Sequence, residues 1–217
     1  MINRVLTVGC SFTFGAELQN PHADAWPIVL GCKNNWEVNN RGLGGASNDR
    51  SVRVVFDEIE NNYDLIIVAW TVPDRFEVAY NNATIDINVN SGDRRKLPWV
   101  TEYYAKHYDR FYSYSKWLKQ VILLQSYLKQ RNQRYLFCST FGMWSDLRID
   151  SYEEYSVKLQ SLISQVDAHN YVDWPQWGMT DWMGDCDKGP DGHPLESGHN
   201  HIAIRINDHI RNLSRLP

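Results

Sequence analysis

The sequence predicts an α/β fold, a parallel β-sheet with helices on both of its faces. Three observations predict it. Short apolar runs alternate with segments of helical spacing along the 217 residues. The run at 65–70 is apolar at every position, as expected of a strand covered on both sides. Each run also ends in a loop of glycine, proline or small polar residues, which is how such strands hand over to a crossover.

The elements follow in order. Residues 4–9 form a buried first strand that stops at Gly9, and 10–15 read as a loop, because their small and β-branched residues do not call for a helix. A second strand spans 36–40 and leads into the glycine-rich loop 41–47. Ser47 or Asn48 then caps a helix at 48–60, with Val52, Val55, Phe56 and Ile59 on one face. The strand 65–70 is followed by the loop 71–75. Residues 76–107 are an insertion: a small hairpin up to 93, with β-type residues beside Asn-rich turns, then an irregular stretch at 97–101. A helix at 108–130 aligns Trp117, Val121, Leu124 and Leu128. A strand at 135–139, a helix at 152–166 and a helix at 201–213 with Ile202, Ile206, Ile210 and Leu213 on one stripe complete the chain.

Composition narrows the function. Lys and Arg number 22 against 26 Asp and Glu, a formal charge of −4, which excludes a basic protein that coats nucleic acid. With 43% hydrophobic residues the chain has material for one core, and a single domain over 1–217 is expected. No apolar run approaches the roughly 18 residues of a membrane span, and the first residues lack a secretory apolar stretch, so a soluble, cytoplasmic protein without a membrane partner is expected. Cys10, Cys32, Cys138 and Cys186 are scattered, with no C-x-x-C pair. The acidic string Asp185, Asp187, Asp191 has Gly189 where a calcium loop needs a ligand, so neither metal nor cofactor is expected.

In parallel sheets ligands bind outside the carboxyl ends of the strands, which is where the loops 9–15, 42–48, 70–75, 139–144 and 191–199 fall. Ser11 follows the first strand, and Asp191 with His193 lies in a Gly/Pro-punctuated loop before the last helix. Hydroxyl, imidazole and carboxylate at one rim are what acyl transfer requires. Cys10 is the stronger intrinsic nucleophile, but neighbours on an extended chain point oppositely, and the register with Gly9 and Gly15 favours Ser11.

These residues resemble the SGNH/GDSL hydrolase family. Gly9-Cys10-Ser11 with Gly15 is similar to its first block, with Cys10 where aspartate is usual. Asn40-Arg41-Gly42-Leu43-Gly44-Gly45 matches its second block, N-x-G-x-x-G. The segment from Asp191 to His199 resembles its fifth, with the acid two residues before the histidine rather than three. The third block, normally G-x-N-D, falls at Trp70-Thr71-Val72-Pro73 and has no asparagine.

The resemblance implies a flavodoxin-like three-layer α/β/α sandwich. It implies a serine ester hydrolase, plausibly a deacetylase of an O-acylated sugar or other small ester, with Ser11 as nucleophile, His193 as base and Asp191 as its orienting acid. The oxyanion hole would be the N–H groups of Ser11 and Gly45, with Asn48, or failing it Arg75, replacing the absent third-block asparagine. Arg75, Trp70 and Arg41 are expected to contact substrate. Trp26, Trp144, Trp174, Trp177 and Trp182 lie in or near loops, where aromatics suit stacking on sugar rings, while burial in the core is the better reading of each one alone. Two alternatives stand beside this reading: an acyltransferase on the same site, and a glycan- or ligand-binding protein with impaired chemistry.

Overall fold

The computed structural model describes residues 2–94, 96–142 and 153–213. The main sheet consists of β1 (Arg4–Val8), β2 (Glu37–Asn40), β3 (Leu65–Trp70) and β6 (Tyr135–Ser139), in the spatial order β2-β1-β3-β6 with every pairing parallel. An antiparallel hairpin, β4 (Phe76–Tyr80) and β5 (Ala83–Ile87), stands apart from it. The helices are α1 (Ser11–Phe14), α2 (Pro21–Asp24), α3 (Trp26–Asn34), α4 (Asn48–Glu58), α5 (Ser91–Arg94), α6 (Pro98–Lys106), α7 (Arg110–Gln130), α8 (Glu153–Ile163), α9 (Met179–Trp182) and α10 (Glu196–Leu213).

Strand alternation divides the core into two layers. Leu6, Val8, Ile66, Val68, Trp70, Tyr135 and Phe137 point to one face and pack with α4 and α7 through Val54, Val55, Trp117, Val121 and Leu124. Val5, Ile67, Ala69, Leu136 and Cys138 point to the other, where α3 and α10 bury Trp26, Leu30, Ile202, Ile206 and Ile210. Each large side chain so buried contributes about 1.5–3 kcal/mol. The doubly wound, three-layer α/β/α reading therefore holds. Among the described residues no helix is long and apolar enough to cross a membrane.

Three local expectations are corrected, and one further stretch acquires helices. Residues 11–14 form a helical turn rather than a loop, because the Cys10 carbonyl accepts from both Thr13 and Phe14 N–H, at 2.9 and 3.0 Å. The stretch 16–35, which carries no clear periodicity, holds α2 and α3, each started by a proline in its first turn. The region at 97–101 belongs to α6, also begun by Pro98, whose Val100 joins Leu97 and Ile87 in a small core under the hairpin. Finally, α10 starts at Glu196, five residues before the expected start at 201, where Gly198 permits close packing: a Cβ there would lie 2.7 Å from that of Pro194.

Candidate active site

The place of Ser11 is fixed by backbone packing. Gly9 leaves no room for a side chain, since a Cβ would lie 2.3 Å from Thr13 Oγ1. Cys10 turns wholly into the core, its Sγ 3.6 Å from Thr140 Oγ1, and Ser11 opens α1 beside the cavity. Ser11, and not Cys10, lines the cavity. Asn40 locks the turn from the side: its Nδ2 donates to the Thr13 carbonyl at 2.8 Å, while its Oδ1 accepts from Gly42 N–H at 3.0 Å and Thr7 Oγ1 at 3.2 Å. The second-block asparagine is thus a clamp that holds the end of β2 onto the serine-bearing helix.

His193 sits on the loop before α10, part-buried, its ring 5.7 Å from that of Phe12. Its Nδ1 lies 2.8 Å from Oε2 of Glu17, not from Asp191. The same carboxylate accepts the backbone N–H of Asp191 at 2.9 Å and of His193 at 3.1 Å. The expected triad acid is therefore corrected: the Asp191 carboxylate is exposed at the rim, and Glu17 occupies the orienting position. The cause is local. Gly192, at φ +82°, folds the loop so that the N–H groups of residues 191 and 193 converge on one point, and Gly189 leaves the space, since a Cβ there would lie 2.5 Å from Glu17 Cδ. An anion belongs at such a convergence of donors. The Asp191 N–H bond, foremost, with those from His193, holds the Glu17 carboxyl below the ordinary range. Glu17 itself has φ +69°, a left-handed conformation that costs a non-glycine residue of order 1 kcal/mol or more.

Ser11, Gly45 and His193 line one cavity of about 830 Å³, closed on one side by Arg75, Val72 and Asp74 and on the other by Thr84, Asp86 and Asn88 of the hairpin. Among the described residues no hydrogen bond joins Ser11 to His193, and the Gly45 N–H has no internal acceptor. Arg75 lines the cavity as expected and donates through Nη1 to the Ala46 carbonyl at 3.3 Å, bracing the glycine loop.

Three other assignments fail. Asn48 is buried, with Nδ2 donating to the Thr71 carbonyl at 3.0 Å and Oδ1 accepting the Thr71 N–H at 2.9 Å, so its amide serves the backbone and does not reach the cavity; Ser47 caps the helix. Trp70 is fully buried in an edge-on contact with Phe137, as alternation along β3 requires. Arg41 points away and pairs with Glu58 at 3.3 Å. Asn48→Ala accordingly strips two buried backbone groups of partners. It should cost about 2–4 kcal/mol in urea unfolding while leaving kcat within about threefold of wild type.

The tryptophans do not gather at the cavity. Trp26 is core, Trp174 packs against Tyr171, Trp182 is partly buried and Trp177 is exposed away from the cavity; Trp144 lies outside the described residues. His199 is a structural histidine: its Nδ1 accepts the Trp26 N–H at 3.1 Å, and burial pushes its pKa down to about 4. Among the described residues no cluster of three or more His, Cys, Asp or Glu could hold a metal.

Comparison with solved structures places the architecture. The fold matches a psychrotrophic esterase, EstA, from Pseudoalteromonas sp. with TM-score 0.58 at 14% identity, over 99% of this chain and 100% of that one. It matches a mutant of an acetyl-xylooligosaccharide esterase from Geobacillus Stearmophilus with TM-score 0.54 at 12% identity, covering 96% and 94%. A carbohydrate esterase family 2 enzyme from Corynascus thermopiles (Myceliophthora fergusii) aligns with TM-score 0.54 at 11% identity, over 99% of this chain and 67% of that one. No protein-family model matches the sequence, and no curated protein does. The chain has the fold of the SGNH/GDSL hydrolases, as a divergent example of it.

Proposed function

We propose that the protein is a serine ester hydrolase in which Glu17, rather than Asp191, completes the triad. The observation that carries this reading is the 2.8 Å contact of Glu17 Oε2 with His193 Nδ1, in the cavity that also holds Ser11. A carboxylate on Nδ1 fixes the tautomer with the proton on that nitrogen and leaves Nε2 as the base. Ser11 Oγ attacks the acyl carbon and its proton passes to Nε2. The resulting oxyanion is held by the N–H groups of Ser11, at the start of α1, and of Gly45. His193 then returns the proton to the departing alcohol oxygen, leaving an acyl-serine. Water resolves that intermediate by the same proton transfers in reverse, so the residues named here complete the cycle.

The hairpin side of the cavity brings the polar groups of Thr84, Asp86 and Asn88, beside the apolar Ile85 and Val89, opposite Arg75. Such a wall suits an alcohol that is itself hydroxylated, which supports a small O-acylated sugar as substrate; two of the fold's likenesses act on carbohydrate esters. The test is covalent labelling with a fluorophosphonate probe together with turnover of a short-chain aryl ester. Wild type should label and turn over, and Ser11→Ala should do neither, losing at least a thousandfold in kcat with its melting temperature nearly unchanged. Turnover that survives Ser11→Ala sinks the proposal.

A further inference from the structure

The oxyanion hole built from two backbone N–H groups has no side-chain amide from the loop after β3: Val72 is apolar, Asn48 engages the Thr71 backbone, the Thr71 hydroxyl does not line the cavity, and Arg75, on its wall, donates to the Ala46 carbonyl. The opposite wall of the cavity supplies one. The apolar Ile87 of β5 points into the satellite core, while Thr84 and Asp86 of the strand and Asn88 just beyond it line the cavity. Asp86 Oδ1 accepts the Ser47 N–H at 2.8 Å, which docks the strand against the end of the glycine loop. Two residues on, Asn88 Nδ2 lies 3.6 Å from the point that a Cβ on Gly45 would occupy. The side-chain amide is therefore in van der Waals reach of the glycine proposed to face the oxyanion.

Its orientation is determined as well as its place. The Asn88 N–H donates to Ser91 Oγ at 2.9 Å, its carbonyl accepts the Ser91 N–H at 2.9 Å, and its Oδ1 accepts the Asn90 N–H at 3.0 Å. Ser91 is itself buried. Every other polar group of Asn88 is satisfied within its own turn, and among the described residues only the Nδ2 amide has no acceptor. A donor locked by its own neighbours and left unpaired in a reaction cavity is preorganised for charge that develops during the reaction.

From this geometry we infer that Asn88, carried on the hairpin, is a catalytic residue whose Nδ2 donates to the acyl oxygen as it becomes an oxyanion, in the place of the donor that the 70–73 loop lacks. The inference rests on the Ser11 hydrolase reading above. Asn88→Asp tests it, since the carboxylate keeps the acceptor for Asn90 N–H and replaces only the donor; Asn88→Ala removes both and guards against a charge effect. Steady-state kinetics on a short-chain aryl ester should show kcat reduced about a hundredfold or more in both variants, with KM changed less than about threefold. A boronic acid, which forms a tetrahedral adduct with a serine hydroxyl, should lose affinity for the folded variants by a similar factor. Unchanged kcat in both variants overturns the inference, as does a rise in KM alone, which would make Asn88 a contact to the alcohol portion. The Ser11→Ala control separates the two failures: if it is inactive while the Asn88 variants retain full kcat, the hydrolase reading stands and this inference falls, whereas an active Ser11→Ala overturns both.

Discussion

Glu17→Gln should lower kcat for ester hydrolysis by three to four orders of magnitude, and Asp191→Asn should leave it within about threefold. The amide keeps the size of Glu17 but presents only one acceptor oxygen where the carboxylate serves three donors: the N–H groups of residues 191 and 193 and His193 Nδ1. Whichever way the amide turns, its NH2 group opposes an N–H, and the imidazolium that forms as Ser11 is deprotonated loses its counter-charge. In serine proteases, replacing the triad aspartate by asparagine costs about 10⁴ in kcat for this reason. Asp191 contributes to the arrangement through its backbone N–H, which the Asn substitution retains. The same bonds hold the Glu17 carboxyl ionised below the usual carboxylate range, so its contribution to loop stability is present above that range and is lost as pH falls through the lowered value. Single-turnover rates on an activated ester, measured with circular dichroism as a folding check, decide the matter. A larger loss in Asp191→Asn than in Glu17→Gln would return the acid role to the sequence-adjacent carboxylate.

The strands were legible because a sheet buried on both faces demands uninterrupted apolar runs, and 65–70 shows one. Ser11 and His193 were legible because their loops fall at one rim of such a sheet. Glu17 was not. Its place depends on a left-handed backbone at Glu17 and on a glycine turn at 192 whose N–H groups aim at it across 174 residues of chain, and neither leaves a periodic trace. Proximity along the chain pairs His193 with Asp191, whereas the fold sets it against Glu17 through convergence of donors on that carboxylate. Asn48 misled for a related reason: an amide at the start of a helix looks free in a sequence, yet here it bridges to the backbone of the loop after β3. The β4–β5 hairpin lies within the stretch whose β-type residues suggested one, but its contribution to the cavity wall depends on docking through Asp86 and Ser47, a contact that periodicity does not encode.

Gly42→Ala should reduce kcat about a hundredfold and destabilise the protein by about 1–3 kcal/mol, whereas Gly44→Ala, two residues away, should do neither. Both glycines belong to the same loop, and the difference is what a methyl group would meet. At Gly42 a Cβ would lie 2.5 Å from Phe14 N and 2.7 Å from Thr13 C, inside the backbone of α1, and a backbone contact cannot be relieved by a rotamer change. At Gly44 there is nothing within 4 Å. Overpacking of this kind costs about 1–3 kcal/mol because the neighbouring element must move. Here the element that moves is the one that begins with Ser11, and it is also held by the Asn40 bond to the Thr13 carbonyl, so the displacement strains that clamp as well. A shift of about 1 Å between nucleophile and base is enough to lose roughly a hundredfold in rate. Calorimetric melting and kcat should therefore fall together in Gly42→Ala and stay together at wild-type values in Gly44→Ala. A Gly42→Ala protein that melts lower but turns over normally would show that α1 keeps its place against His193 while the loop yields, and would remove the second block from the positioning of Ser11.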